Sequence, residues 1–177
     1  FPFGNNAATE GQGSDAWSAF YKSTFNMSST EEIAFNLYHL SGKSKGLNAR
    51  ISTEDNVTFK GDSDLTVINI DYENSYGADS KLKFSTEYFF RNQDGTFEDA
   101  EESTGEVSFD DNDSGYYVAL VNQFNDNLSM GLRYSELQAA GTPTGLVNSA
   151  LDSGNNDPEA YSIMSEWKFD SAAVMRL

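Results

Sequence analysis

Cysteine is absent from the 177 residues, so the chain holds no disulfide framework, thiol nucleophile, cysteine-bound zinc or iron–sulfur cluster. Histidine occurs once, at His39, which excludes His-based dyads and triads and multi-histidine zinc sites. Cations are scarce: 11 Lys and Arg stand against 28 Asp and Glu, a formal net charge of −17. Phosphate binding needs clustered cations to displace counterions, so nucleic acid is not a partner. No apolar run approaches the roughly 18 residues of a membrane helix, which excludes a helical membrane protein. Proline is limited to three residues, while 13 Phe, nine Tyr and two Trp make the chain too aromatic for disorder.

What remains is the punctuation of an all-β protein, with Gly, Asn, Asp and Ser crowding the spaces between alternating runs. Eight segments alternate with period two, the repeat that sends successive side chains to opposite faces of a sheet. In the first, Trp17, Ala19, Tyr21 and Phe25 oppose Ser18, Lys22, Thr24 and Asn26. The fourth sets Leu82, Phe84, Thr86, Tyr88 and Phe90 against Lys83, Ser85, Glu87 and Arg91. The sixth sets Leu128, Met130, Leu132 and Tyr134 against Ser129, Gly131, Arg133 and Ser135. Three residues break the pattern: Tyr38, Leu40 and Phe89 fall on otherwise polar faces.

The connections alternate as well. Short links near Ser28, Tyr76, Asn125 and Ser171 interleave with long polar stretches near residues 42–61, 93–114 and 138–158, after a loop-like tail over 1–15. Strict alternation places the long loops at one end of an up-and-down sheet. That asymmetry, with one almost uncharged face and aromatics at strand ends, is the pattern of a transmembrane β-barrel. The expected fold is an antiparallel up-and-down transmembrane barrel, with about eight strands in residues 16–177 as part of a larger one. A first strand running toward a short turn and a truncated eighth strand lead us to expect further strands on both sides. A soluble β-sandwich gives the same alternation and stands as the rival.

Three stretches carry a family likeness: Glu87 to Gly95 (EYFFRNQDG), Leu128 to Tyr134 (LSMGLRY) and Ala160 to Leu177. They resemble strands of Gram-negative outer-membrane porin-like proteins, nearest to the zinc-regulated outer-membrane proteins and, more distantly, the phosphate-selective porins. The likeness lies in strand texture and covers about half of the chain. It implies residence in the bacterial outer membrane among lipid and lipopolysaccharide, a possible homo-oligomer, and passage of small hydrophilic solutes or ions without covalent chemistry.

On a barrel reading the polar faces line a lumen, and the pore-lining candidates are Lys22, Asp71, Glu73, Lys83, Glu87, Arg91, Arg133, Glu166, Lys168 and Arg176. Opposed cations and carboxylates across a pore order water and tune ion preference. The bland alternative is mutual neutralisation in a narrow interior. Between Thr96 and Ser114 lie eight acids and no base, expected as a solvated loop that draws cations to the pore mouth at most by long-range attraction. Within it, Asp110, Asn112, Ser114 and Gly115 copy the first half of a calcium loop, but Val121 stands where the bidentate Glu belongs. Calcium is therefore only a weak cofactor candidate. Asp71 and Glu73 share a face, yet no cleft or partner recommends them for acid–base catalysis, and an enzyme is not expected. The functional rivals are a plugged, ligand-gated uptake receptor for a metal or siderophore, and a secreted adhesion or glycan-binding sandwich.

Overall fold

A computed structural model describes residues 16–49, 57–99, 105–139, 141, 157–170 and 173–176. The described residues form one antiparallel sheet of eight strands in sequence order, and contain no helix. The strands are β1 (Ala16–Asn26), β2 (Glu31–Ala49), β3 (Val57–Ser75), β4 (Lys81–Asp99), β5 (Glu106–Gln123), β6 (Leu128–Gln138), β7 (Glu159–Asp170) and β8 (Ala173–Arg176). Each pairs only with its sequence neighbours, so the up-and-down topology expected from the alternation is present. The sheet is open: β1 and the four-residue β8 form its two edges and do not pair with one another.

Two expected loops are strands instead. Residues 42–49 and 57–61 continue β2 and β3, and residues 93–99 and 106–114 continue β4 and β5, giving four strands of 18 or 19 residues. The acidic stretch between Thr96 and Ser114 is accordingly not one solvated loop, since Glu98, Glu106, Asp110, Asp111 and Asp113 all sit in paired strands. The third expected loop, near 138–158, and the tail over 1–15 lie almost wholly outside the described residues. The short turns near Ser28, Tyr76 and Asn125 stand where the sequence placed them, and the link near Ser171 lies outside the described residues. Asn125 builds one by accepting backbone N–H bonds from Asn127 and Leu128 at 2.8 and 3.0 Å, an Asx-type turn.

The register fixes two faces. Lys22 pairs with Asn36, Asn36 with Asn69, Asn69 with Glu87, and Glu87 with Tyr117, so these share what is here called the Lys22 face. Tyr21 pairs with Leu37, Leu37 with Ile68 and Ile68 with Tyr88 on the opposite, Tyr21 face. Near the turns the Tyr21 face is apolar. It carries Phe25, Ile33, Phe35, Ile70, Phe84, Val118, Leu120, Leu132 and Ile163, and no second layer covers it among the described residues. Leu132 and Ile163, a direct cross-strand pair, are 58% and 76% exposed.

Further from the turns the Tyr21 face loses its apolar character. On it Thr66, Phe90 and Ser114 lie in one cross-strand row; the next row is Asp64, Asn92 and Asn112, and the next Asp62, Asp94 and Asp110. At these heights the Lys22 face is polar too, with Arg91 and Asp113 and then Ser63, Gln93 and Asp111, and only beyond them does it close a small core of Phe59, Phe97 and Phe109, with ring centroids 4.9 Å apart at both contacts. Phe59 and Phe109 are the buried apolar residues of the described sheet. Below this core Gly61 faces Gly95, and the two backbones approach so closely that a Cβ on either would strike the other strand's main chain. β2 adds a register shift between Lys45 and Leu47, which bends and twists the sheet at this height.

Candidate functional site: the Lys22 face

The alternation that makes one face apolar gathers the charged side chains on the other. All ten pore-lining candidates fall on the Lys22 face by register, arranged in rungs that cross the sheet. Arg176 is placed there by its pairing with Glu166.

At the turn end Glu73 is clamped by two lysines, with Lys81 Nζ at 2.7 Å and Lys83 Nζ at 2.9 Å from its two carboxylate oxygens. Lys168 lies 3.7 Å from Glu166 on β7. One rung further out Arg133 stacks over the Tyr117 ring, its guanidinium carbon 4.3 Å from the centroid. On the next rung Asn36 donates to Asn69 Oδ1 at 2.6 Å, and Asn69 donates to the Thr86 carbonyl at 3.3 Å. Both asparagines are buried, and Asn36 Oδ1 has no hydrogen-bond partner among the described residues. Two rungs further, Arg91 binds both carboxylate oxygens of Asp113 in a bidentate fork. Most of the cations on this face are thus engaged by an acid or a ring. Lys22, exposed on the edge strand β1, has no ion pair or hydrogen bond among the described residues.

The charged side chains and the histidine of the Tyr21 face lie at the limits of its apolar band. His39 Nδ1 and Thr66 Oγ1 are 2.9 Å apart, so the lone histidine is a boundary residue satisfied by its cross-strand neighbour. At the turn limit the Tyr72 hydroxyl donates to Glu31 at 2.8 Å. At the far limit the Tyr116 and Tyr134 hydroxyls donate to one oxygen of Glu136, at 2.8 and 3.0 Å. Tyr134 also packs on Tyr161 at 4.8 Å, extending an aromatic row across β4 to β7 from Tyr88.

The calcium half-motif does not form a loop. Asp110, Asn112 and Ser114 lie along β5, paired with Asp94, Asn92 and Phe90, and an extended strand cannot wrap its oxygens around one ion. The described residues contain no group of three or more His, Asp and Glu side chains able to hold a metal. Asp71 and Glu73 do share the Lys22 face, beside a cavity of about 220 Å³ that Lys83 and Ser85 also line, but Glu73 is already occupied by its lysines.

Sequence reasoning missed the extension of β2 to β5 beyond the apolar band and its charges. There Lys60 contacts Glu106 at 2.6 Å and Glu98 at 3.8 Å. The hydrogen bond and charge of Glu106, with Glu98 behind it, hold the Lys60 ammonium above its usual pKa. The signal was available in Phe59, Phe97 and Phe109, which resume an apolar alternation on the other face beyond Asp64, Asn92 and Asn112.

No family model, no curated protein and no solved structure matches this chain.

Proposed function

We propose that the chain forms part of the wall of a porin-like barrel in a Gram-negative outer membrane, passing small hydrophilic solutes or ions along the Lys22 face. The observation that carries this reading is that the Tyr21 face turns from apolar to polar at one height across β3, β4 and β5 while the strands continue. A strand buried in a single core keeps the same face apolar along its length. A strand that leaves hydrocarbon for water has no reason to stay apolar on its outer face once past the boundary.

The dimensions agree with a bilayer. On β4 the uncharged run of the Tyr21 face spans Leu82 to Phe90, nine residues or about 30 Å of strand. Tilted by about 40°, that covers the ~25 Å apolar band of outer-membrane barrels. No Asp, Glu, Lys or Arg interrupts this face between the two rims. Tyr88, Tyr116, Tyr134 and Tyr161 mark the outer rim, and Tyr72, Trp167 and Phe169 the turn rim, as interfacial girdles do. The strand texture that resembles the zinc-regulated outer-membrane proteins points the same way.

Closure is part of the proposal. Unpaired N–H and C=O groups along β1 and β8 would be costly in lipid, so these edges pair with further strands of the same polypeptide or of a second copy. The mixed charges of the Lys22 face then border water, and lipopolysaccharide surrounds the β2 to β5 extension. The test is reconstitution in planar bilayers. Discrete ion conductance that depends on the protein supports the conduit; insertion without current identifies a plugged receptor. A protein that stays folded, monomeric and soluble in plain buffer overturns the membrane reading in favour of a secreted module.

A further inference from the structure

The residues that spoil the alternation meet in space. Tyr38 and Phe89 fall on one rung of the Lys22 face: Phe20 pairs with Tyr38, Tyr38 with Val67, and Val67 with Phe89. Leu40 and Leu65 follow on the next rung outward. Phe20 and Tyr38 stack with centroids 6.5 Å apart and planes inclined by 23°, yet they remain 78% and 46% exposed. Exposed aromatics on an otherwise polar face bury nothing of the protein's own among the described residues. They floor a cavity of about 370 Å³ lined on this face by Ser18, Phe20, Tyr38, Leu40, Leu65 and Val67. That volume falls in the range of small-molecule sites.

One rung toward the turns, about 7 Å along the strand, stands Lys22. Among the described residues its ammonium is unengaged, while Lys81, Lys83, Arg91 and Lys168 are held by acids and Arg133 by a ring. Beside it is Asn36, 7% exposed and with an unpartnered Oδ1. An apolar shelf beside one free cation complements a molecule with an apolar ring or short chain at one end and one negative charge at the other. A single ammonium with Glu87 on its own rung and Asp71 on the next rung toward the turns suits a monoanion better than a phosphate.

We propose that the Phe20–Tyr38 shelf and Lys22 form a binding station for small aromatic or aliphatic carboxylates, the ring lying on the shelf and the carboxylate on the Lys22 ammonium. The inference deepens the proposed conduit by naming a solute class, and rests on it in that solute reaches the shelf through the lumen.

The protein in detergent micelles is titrated with 3-phenylpropanoate and with its neutral isostere 3-phenylpropanamide, and binding is followed by chemical-shift changes. The carboxylate is expected to bind at least tenfold more tightly than the amide. Lys22→Gln should erase that preference and Lys22→Arg retain it; Phe20→Ser should weaken both ligands alike, and Lys168→Gln neither. Far-UV circular dichroism confirms that each variant keeps its sheet; the Lys22→Arg comparison tests the charge even where Lys22→Gln lowers stability. Equal affinity for the two ligands in the unaltered protein, or a preference that survives Lys22→Gln, overturns the station. Conductance with no carboxylate preference overturns this inference alone. A carboxylate preference in a protein that never conducts overturns the conduit and leaves the station standing.

Discussion

Gly61 faces Gly95 across β3 and β4 with no room for a side chain on either, at the level where the sheet passes from its apolar band into the charged extension. An added methyl at residue 95 would meet the Lys60 carbonyl and the Gly61 Cα, which belong to backbone and cannot swing aside. Gly95→Ala is therefore expected to destabilise the extension by about 1–3 kcal/mol, the range for overpacking. Faster proteolysis of the β3 and β4 ends, with the turn-side strands still protected, is the measurable result.

Leu132 and Ile163 form an exposed cross-strand pair in the middle of the apolar band. On the proposed membrane placement, Arg there puts a charge against lipid, at a cost of about 2–4 kcal/mol near the bilayer midplane. Leu132→Arg should lower the yield of folded protein in vesicles sharply, whereas Asp94→Arg, on the same face but beyond the band, should not. Equal yields for the two variants in vesicle refolding would contradict the membrane placement.

Asn36 and Asn69 are coupled by their 2.6 Å hydrogen bond in the buried part of the Lys22 face. Asn69→Leu leaves the Asn36 amide without its acceptor and is expected to cost about 1–3 kcal/mol. Replacing both by Leu removes the orphaned group, so the double variant should be more stable than the sum of the single losses implies. A double-mutant cycle by urea unfolding in micelles measures the coupling.

The Lys60 ammonium, held above its ordinary pKa chiefly by Glu106, links the extension to pH. A raised folded-state pKa means that the contribution is complete below the unfolded value of 10.5 and fades as pH rises through the folded value. The pair is half-exposed, so the effect on stability is small. The check is the Lys60 side-chain NMR titration, which should move back toward the ordinary value in Glu106→Gln.

The strand order and the allocation of faces could be read from the chain, because period-two alternation needs no knowledge of what lies beside a strand. That is why Lys22, Glu87, Arg133 and Lys168 share one face as expected. The lengths of β2 to β5 could not be read the same way. Around Asp64 and Asn92 both faces are polar before Phe59 and Phe97 resume on the other face, and a pattern anchored on one face reads that gap as a loop, with Gly61 and Gly95 as its turn signals. The weak calcium half-motif has a related origin: acids and amides at every second position also describe one face of a strand, which is where Asp110 and Asn112 lie. The Phe20, Tyr38, Val67 and Phe89 rung depends on register between strands, and register is set by pairing, so Tyr38 and Phe89 looked like isolated flaws.

The loss of apolar character along the Tyr21 face also makes the two ends of each hairpin unequal travellers. Hauling the far ends of β3 and β4 through hydrocarbon would drag Asp62, Asp64, Asp94 and the Lys60 cluster with them, while at the turn around Gly77 the charges of Glu73, Asp79, Lys81 and Lys83 sum to zero. On the proposed placement, spontaneous entry into a preformed vesicle proceeds from the compact turns. The acidic crown then stays on the side of addition, and delivery in the reverse sense calls for an assembly machine to ferry it across.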